Sequence, residues 1–124
     1  MELSTKKVLV FQEYHSLNLL IKYILMESGY KKIYTIDNAE AIVKTYNHIK
    51  PDVFLCEIDL FHQIDSLIEL LSKAERDELM SKFICIVSDD NIQMKKYTKK
   101  LGVKYHIEKP FNKIDEVKNI VNCI

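Results

Sequence analysis

Short apolar runs alternate with stretches of helical periodicity along the whole chain. After the first run, apolar residues recur at Leu17, Ile21 and Ile24, which is the spacing of an amphipathic helix, and Gly29 follows as a stop signal. The runs themselves are rich in β-branched and aromatic residues and predict strands at 7–11, 32–36, 52–58, 83–88 and 104–109. Five strand–helix units in this order predict a doubly wound parallel α/β sheet with helices on both faces.

Capping signals and breaks refine the boundaries of the predicted helices. Asp37, with Glu40 three residues later, has the form of a capping box at the start of the second helix. Asn112 is predicted to cap the last helix. The third crossover contains an apolar helical stretch at 64–71 and a polar one at 75–80. With these boundaries, each predicted strand is followed by a loop that leads into the next helix.

Length and composition limit the possible functions. The 124 residues suit one domain, 1–124, and leave no room for a separate effector domain, so we expect any output to come from a partner. A hydrophobic fraction of 48% with two glycines and two prolines excludes a disordered or low-complexity segment. The net charge is zero, and Arg76 is the only arginine, which disfavours direct binding of nucleic acid.

The chain also lacks the sequence signs of a membrane protein or a secreted one. No apolar run approaches the roughly 20 residues that span a bilayer, and the N-terminus does not resemble a signal peptide. We therefore expect a cytoplasmic protein with no membrane partner. Cys56 and Cys85 lie inside apolar runs and are expected to be reduced, buried side chains, although they would form a redox pair if their strands were neighbours.

Polar side chains collect where the predicted strands end. In a parallel sheet these ends share one edge, where ligands of open α/β sheets bind. The residues at this edge are Gln12, Glu13, Tyr14, His15, Glu57, Asp59, Ser88, Asp89, Asp90 and Lys109. No glycine-rich phosphate loop follows the first strand and no Gly-x-Ser-x-Gly sequence occurs, which disfavours a nucleotide-binding enzyme and a hydrolase.

Four motifs mark these strand ends: KVLVF followed by a polar and an acidic residue, PDVFLCEI, FICIVS and EKPF. With them, essentially the whole chain resembles the receiver domains of bacterial two-component response regulators. The resemblance implies a flavodoxin-like topology with strand order 2-1-3-4-5. It also implies a phosphorelay signalling module rather than an enzyme.

The resemblance assigns roles to six positions. In the family, an aspartate ending the third strand accepts a phosphoryl group, and two acids after the first strand hold Mg²⁺. A hydroxyl residue and a lysine, ending the fourth and fifth strands, contact the phosphoryl group, and an aromatic residue in the fifth strand rotates on activation. The matching positions are Glu57, Gln12 with Glu13, Ser88, Lys109 and His106. Glu57, Gln12 and His106 depart from the family pattern.

These departures concern chemistry rather than the fold. Glutamate moves the Glu57 carboxylate outward by about 1.5 Å, and a misplacement of about 1 Å can cost a hundredfold in rate. Gln12 removes a charge from the Mg²⁺ position, so we expect no cofactor, with Mg²⁺ binding weakened. The sequence therefore predicts a degenerate receiver whose state does not depend on phosphorylation, with Glu57 reaching toward Lys109 or Ser88.

Two alternatives stay open at this edge. Residual phosphoryl chemistry at Glu57, or at Asp59 as a substitute acceptor, could keep the domain phosphorylation-controlled, although we expect the Asp59 side chain to face solvent. Glu13, Glu57 and Asp59 could instead form a weak metal site in a small-molecule or metal-binding domain, extended by His15 and His62 for a transition metal.

A lysine cluster marks a possible partner face. Its members on the helix after the fourth strand are Lys95, Lys96, Lys99 and Lys100. In receivers, the face formed by this helix, the fifth strand and the last helix meets a kinase, an effector or a second copy. We therefore predict a protein partner with an acidic patch, or a homodimer, at this face.

Overall fold

The central sheet has five parallel strands in the order β2-β1-β3-β4-β5, as predicted. The computed structural model describes residues 3–60, 63, 65–109 and 114–124. The strands are β1 (Lys7–Phe11), β2 (Lys32–Ile36), β3 (Val53–Glu57), β4 (Phe83–Ser88) and β5 (Tyr105–Lys109). Because all five run in one direction, their carboxyl ends lie along a single edge.

Six α-helices cover the two faces of the sheet within the described part of the chain. They are α1 (His15–Glu27), α2 (Ile42–Ile49), α3 (Asp65–Leu70), α4 (Lys73–Ser81), α5 (Ile92–Leu101) and α6 (Ile114–Asn122). Short 3-10 turns occupy Leu3–Thr5 and Ala39–Ala41. In the ranges that the structure describes, none of the helices has both the length and the apolar content that crossing a bilayer requires.

Two core layers explain why the strands are apolar almost without interruption. Leu9 and Phe54 point to the layer beneath α2, α3, α4 and α5, whereas Val10 and Leu55 point to the layer beneath α1 and α6. All four side chains are fully buried. A strand covered on both faces is stabilised by apolar residues at every position. It therefore lacks the alternation of apolar and polar residues that is seen in half-exposed strands.

The capping box predicted at Asp37 is wrong, because the cap lies one residue later. The Asn38 side-chain oxygen accepts a hydrogen bond from the Glu40 N–H at 2.9 Å, and a 3-10 turn then precedes α2. Such a local turn satisfies the first backbone donors without the reciprocal glutamate contact. A true capping box starts α4, where Ser72 and Glu75 exchange side-chain to backbone bonds. The predicted cap Asn112 lies outside the described residues.

The two strand cysteines are neighbours in the sheet. Cys56 of β3 is in register with Cys85 of β4, and both are fully buried free thiols. Burial raises the pKa of Cys56 well above its usual value and raises that of Cys85 to about 12. A protonated, buried thiol is a poor nucleophile. Cys56 and Cys85 therefore act as core packing residues rather than as a reactive redox couple.

Candidate functional site

The site is formed by residues at the carboxyl ends of β1, β3, β4 and β5. Glu57, Ser88 and Lys109 are the last residues of β3, β4 and β5, and Ser88 is in register with Lys109. Glu13 lies in the loop after β1 and contacts Glu57 through its backbone N–H. The structure thus brings together these four residues that the sequence placed at one edge.

Lys109 lies between two carboxylates. Its Nζ atom is 2.5 Å from Glu57 Oε2 and 2.7 Å from Asp59 Oδ2. Glu57 is buried, with 3% of its side chain exposed, whereas Asp59 and Lys109 keep about a fifth of their side-chain surface exposed. Partial burial lowers the pKa of Lys109, but its bonds to Asp59 and Glu57 outweigh that effect and raise the pKa above its usual value. The ammonium group therefore stays charged and pairs with both acids.

Asp59 does not face solvent, so that prediction is wrong. Its Oδ1 accepts the Ser88 backbone N–H at 2.9 Å and its Oδ2 accepts the Ser88 hydroxyl at 3.1 Å. The Asn91 amide also donates to Oδ1 at 3.1 Å. Burial raises the pKa of Asp59, but the bonds from Lys109, Ser88 and Asn91 prevail and lower it. The loop after β3 brings the Asp59 carboxylate to the end of β4. The charge-assisted hydrogen bonds that it gains there replace the contacts with water that it loses.

The remaining oxygen of Glu57 is held by a residue that sequence reasoning missed. Glu57 Oε1 accepts the Glu13 N–H at 3.2 Å and the Gln63 side-chain amide at 3.3 Å. The same Gln63 nitrogen is 3.1 Å from Glu13 Oε1. Gln63 Oε1 accepts the backbone N–H groups of Asp59 at 2.7 Å and Leu60 at 2.9 Å. Gln63 belongs to no recognisable motif, so no sequence signal pointed to it.

Gln12 is present at the edge but separate from the carboxylate network. It is fully buried, and its side-chain oxygen and nitrogen have no hydrogen-bond partner among the described residues. Its backbone is fixed, since its N–H donates to Ile36 and its carbonyl accepts from Asn18. His15 is exposed on the first turn of α1, and His62 lies outside the described residues.

His106 packs against α5 instead of projecting freely from β5. Its Nε2 atom is 2.7 Å from the hydroxyl of Thr98, a fully buried residue of α5. Burial lowers the pKa of His106, and the nearby charges of Lys99 and Lys95 lower it further. The imidazole is therefore neutral near pH 7, and this contact ties β5 to α5.

The lysines of α5 divide into one that is engaged and three that are open to solvent. Lys95 lies 3.1 Å from Glu108 of β5 and donates to the Asp89 carbonyl at 2.7 Å. Lys96, Lys99 and Lys100 are exposed. Positive charge on this face therefore comes chiefly from these three residues, whereas Lys95 helps to hold α5 against β5.

A family model of the response regulator receiver domain matches residues 8–122. The chain belongs to this family. The Bacillus subtilis alkaline phosphatase synthesis transcriptional regulatory protein PhoP is 29% identical over 107 residues, which are 86% of this chain and 43% of PhoP. The chain thus spans less than half of that relative.

Solved receiver structures share the fold at low identity. The chemotaxis protein CheY4 of Vibrio cholerae superposes with a TM-score of 0.75 at 14% identity, covering 96% of this chain and 98% of that one. The receiver domain of the Francisella response regulator 1452 also gives 0.75, at 21% identity, covering 96% and 95%. The receiver domain of NtrX from Brucella abortus gives 0.75 at 18% identity, covering 94% and 96%. These similarities support the flavodoxin-like topology.

Receiver domains are associated with Mg²⁺, but the acidic pocket of this one does not fit the ion. Glu57 Oε2 is bonded to Lys109, and both Glu57 Oε1 and Glu13 Oε1 accept the Gln63 amide nitrogen. Gln12, at the first acidic position, is neutral. Over the described ranges, no group of three His, Cys, Asp or Glu side chains is arranged to hold a metal. Mg²⁺ requires about six oxygen ligands in near-octahedral order, and here hydrogen-bond donors face the carboxylates.

Proposed function

We propose that this receiver domain reaches its signalling conformation without aspartyl phosphorylation and acts by binding another protein. One observation carries the proposal: Lys109 is paired with both Glu57 and Asp59. The family assigns this lysine and the hydroxyl of Ser88 to the phosphoryl group. In this chain the Asp59 carboxylate already accepts hydrogen bonds from both. An internal anion thus occupies the contacts that a phosphoryl group would need.

The geometry of Glu57 supports the same view. Both of its oxygens accept hydrogen bonds, and its side chain is 3% exposed. Attack on a phosphodonor would require at least one oxygen to leave its partner and align with the phosphorus atom. Because phosphoryl transfer depends almost entirely on positioning and charge neutralisation, a glutamate held in this way is a poor acceptor.

Asp59 is equally unsuited to replace it as an acceptor. Its two oxygens receive donors from Lys109 and Ser88, and from the amide of Asn91. Phosphorylation of Asp59 would break these contacts and leave Ser88 and Lys109 without their carboxylate partner. We infer that this carboxylate serves as a fixed anion, which makes the domain a binding module rather than an enzyme.

The proposed partner surface is the face of α5, β5 and α6. Lys96, Lys99 and Lys100 are exposed there, and His106 and Lys95 hold the adjoining strand and helix together. A positive surface on a rigid support fits an acidic protein patch, whether on a kinase, on an effector or on a second copy of the chain. We expect this interaction to take place in the cytoplasm.

Exposure to a phosphodonor tests the phosphorylation-independent state. The domain is incubated with acetyl phosphate and Mg²⁺ and analysed by intact mass spectrometry, beside a receiver that has an aspartate acceptor as positive control. We expect no phosphoryl adduct. A stoichiometric adduct that is lost on Glu57→Gln or Asp59→Asn substitution would overturn the proposal.

Site-specific crosslinking tests the partner surface. A photoreactive residue at Lys96 is compared with one at Lys44, an exposed position on α2. We expect a crosslinked protein at Lys96 that disappears on Lys99→Glu substitution and is absent at Lys44. Equal crosslinking at the two positions, or crosslinking insensitive to Lys99→Glu, would exclude this face as the binding surface.

A further inference from the structure

We propose that the side-chain amide of Gln63 takes the place of a divalent cation between the Glu13 and Glu57 carboxylates, so that the pocket is assembled without metal. The inference rests on the proposed function and deepens it, because it explains how the acidic pocket holds its shape in a receiver that needs no phosphoryl chemistry. It also gives Gln63 a positioning role that the family motifs do not include.

The orientation of the Gln63 amide is fixed by its neighbours. Its Oε1 atom accepts the backbone N–H groups of Asp59 at 2.7 Å and Leu60 at 2.9 Å. Backbone N–H groups only donate, so the oxygen of the amide must be at that end. The NH₂ group is therefore the end that faces the acids.

Both protons of this NH₂ group have an acceptor. The nitrogen lies 3.1 Å from Glu13 Oε1 and 3.3 Å from Glu57 Oε1. One neutral group thereby bridges two carboxylates that would otherwise repel each other. A Mg²⁺ ion bound between the same oxygens would lie about 2.0–2.1 Å from each, where it would meet the positive end of the amide dipole.

The local charge balance explains why such a bridge is needed. Glu13, Glu57 and Asp59 contribute three carboxylates, and Lys109 contributes the ammonium group that pairs with two of them. The excess negative charge is shared among neutral N–H donors, including that of Gln63. Hydrogen bonds from such donors to an ionised carboxylate are stronger than neutral ones. The excess negative charge of the pocket is thus stabilised by donors built into the chain.

The same residue connects three segments of the edge. Through its oxygen it holds the backbone at Asp59 and Leu60, and through its nitrogen it holds the end of β3 and the loop after β1. Gln63 itself is buried, with 3% exposed. By fixing the turn after β3, it orients the Asp59 carboxylate toward Ser88 and Lys109.

Thermal unfolding with and without Mg²⁺ tests this role. Gln63→Glu replaces the donor with a third carboxylate facing Glu13 and Glu57, and Gln93→Glu adds the same charge at an exposed position of α5 as the matched control. At constant ionic strength, we expect Mg²⁺ to leave the Tm of the wild type and of Gln93→Glu unchanged. In Gln63→Glu, which should melt lower in EDTA, Mg²⁺ should produce a saturable rise of several degrees.

A saturable Mg²⁺-dependent rise in the Tm of the wild type would overturn the inference, as would a folded Gln63→Glu variant that shows no response to Mg²⁺. If that variant does not fold, Mn²⁺ titration of the wild type by NMR still decides. We expect the Glu13 and Glu57 amide signals to broaden no more than those of exposed acids elsewhere, such as Asp77 of α4, and selective broadening would refute the role.

These outcomes are independent of the phosphodonor experiment. A wild type that binds Mg²⁺ yet acquires no phosphoryl adduct would refute the role of Gln63 and leave the proposed function intact. If Mg²⁺ does not change the Tm of the wild type but the protein acquires a phosphoryl adduct on Glu57, the proposed function would be refuted and the role of Gln63 would stand.

Discussion

Replacing Lys109 with methionine removes the ammonium group that contacts Glu57 at 2.5 Å and Asp59 at 2.7 Å. Methionine keeps an unbranched apolar stem, so the main change is the loss of charge. Glu57, 3% exposed, would then be a buried carboxylate without its cationic partner. Removing one member of a buried ion pair costs about 3–5 kcal/mol.

We expect the lower end of that range, about 3 kcal/mol. Glu57 Oε1 keeps the Glu13 N–H and the Gln63 amide, and Asp59 keeps the donors of Ser88. Partial exposure of Asp59 further limits its share of the loss. Since the total stability of a domain of this kind is about 5–15 kcal/mol, the variant should still fold.

Urea unfolding followed by circular dichroism at pH 7 measures this loss. With a slope of about 2 kcal/mol per molar urea, the midpoint should fall by about 1.5 M while the slope stays unchanged. Lys104→Met, at an exposed lysine just before β5, is the matched control and should stay within about 0.5 kcal/mol of the wild type.

A second substitution separates the effect of charge from that of packing. Adding Glu57→Gln to Lys109→Met removes the stranded carboxylate, so the double variant should regain at least about 1 kcal/mol. A stabilising role for the Lys109 ammonium group is excluded if the stability of Lys109→Met lies within about 0.5 kcal/mol of the wild type. A double variant less stable than Lys109→Met alone would likewise exclude a stranded Glu57 carboxylate as the cause of the loss.

Three further predictions concern Asp59, His106 and the cysteines. The pKa of Asp59 is lowered, so its contribution to the free energy of unfolding is present above about pH 4 and is lost as pH falls through the folded pKa. In urea unfolding at a series of pH values, the stability of Asp59→Asn should therefore fall less steeply in acid than that of the wild type. An NMR titration of His106 should have its midpoint below about 6.5, raised by Lys99→Gln and unchanged by Lys100→Gln; equal midpoints in the first variant and the wild type would contradict this. A thiol reagent should label Cys123, which is exposed, and leave the two buried cysteines unlabelled until the protein unfolds.

The fold could be predicted because its signals are local and repeated. A strand covered on both faces, such as β4, appears in the sequence as a continuous apolar run, and FICIVS gave its bounds without error. The order of strands and the shared carboxyl edge follow from the resemblance and from the rules for parallel sheets. These rules alone place Glu57, Ser88 and Lys109 at one edge.

The contacts within the site could not be predicted in the same way. The direction of the Asp59 side chain depends on the backbone of the loop after β3, which no periodic pattern constrains. That loop is held by Gln63, whose oxygen accepts from two backbone N–H groups and whose nitrogen donates to two carboxylates. These contacts arise only after folding. A one-residue shift likewise moved a helix cap from Asp37 to Asn38. Both the direction of the Asp59 side chain and the position of the helix cap depend on local hydrogen bonds, and several conformations of the same sequence could satisfy them.

The response of the folded domain to a phosphoryl analogue shows whether the contacts of a phosphoryl group are open to a ligand. Two-dimensional ¹H–¹⁵N NMR spectra of the wild type are recorded before and after addition of beryllofluoride with Mg²⁺. Because Asp59 already occupies the hydroxyl of Ser88 and the ammonium group of Lys109, the amide signals of Ser88 and His106 should not move. Saturable shifts of these signals that vanish in Glu57→Gln would contradict a phosphorylation-independent receiver.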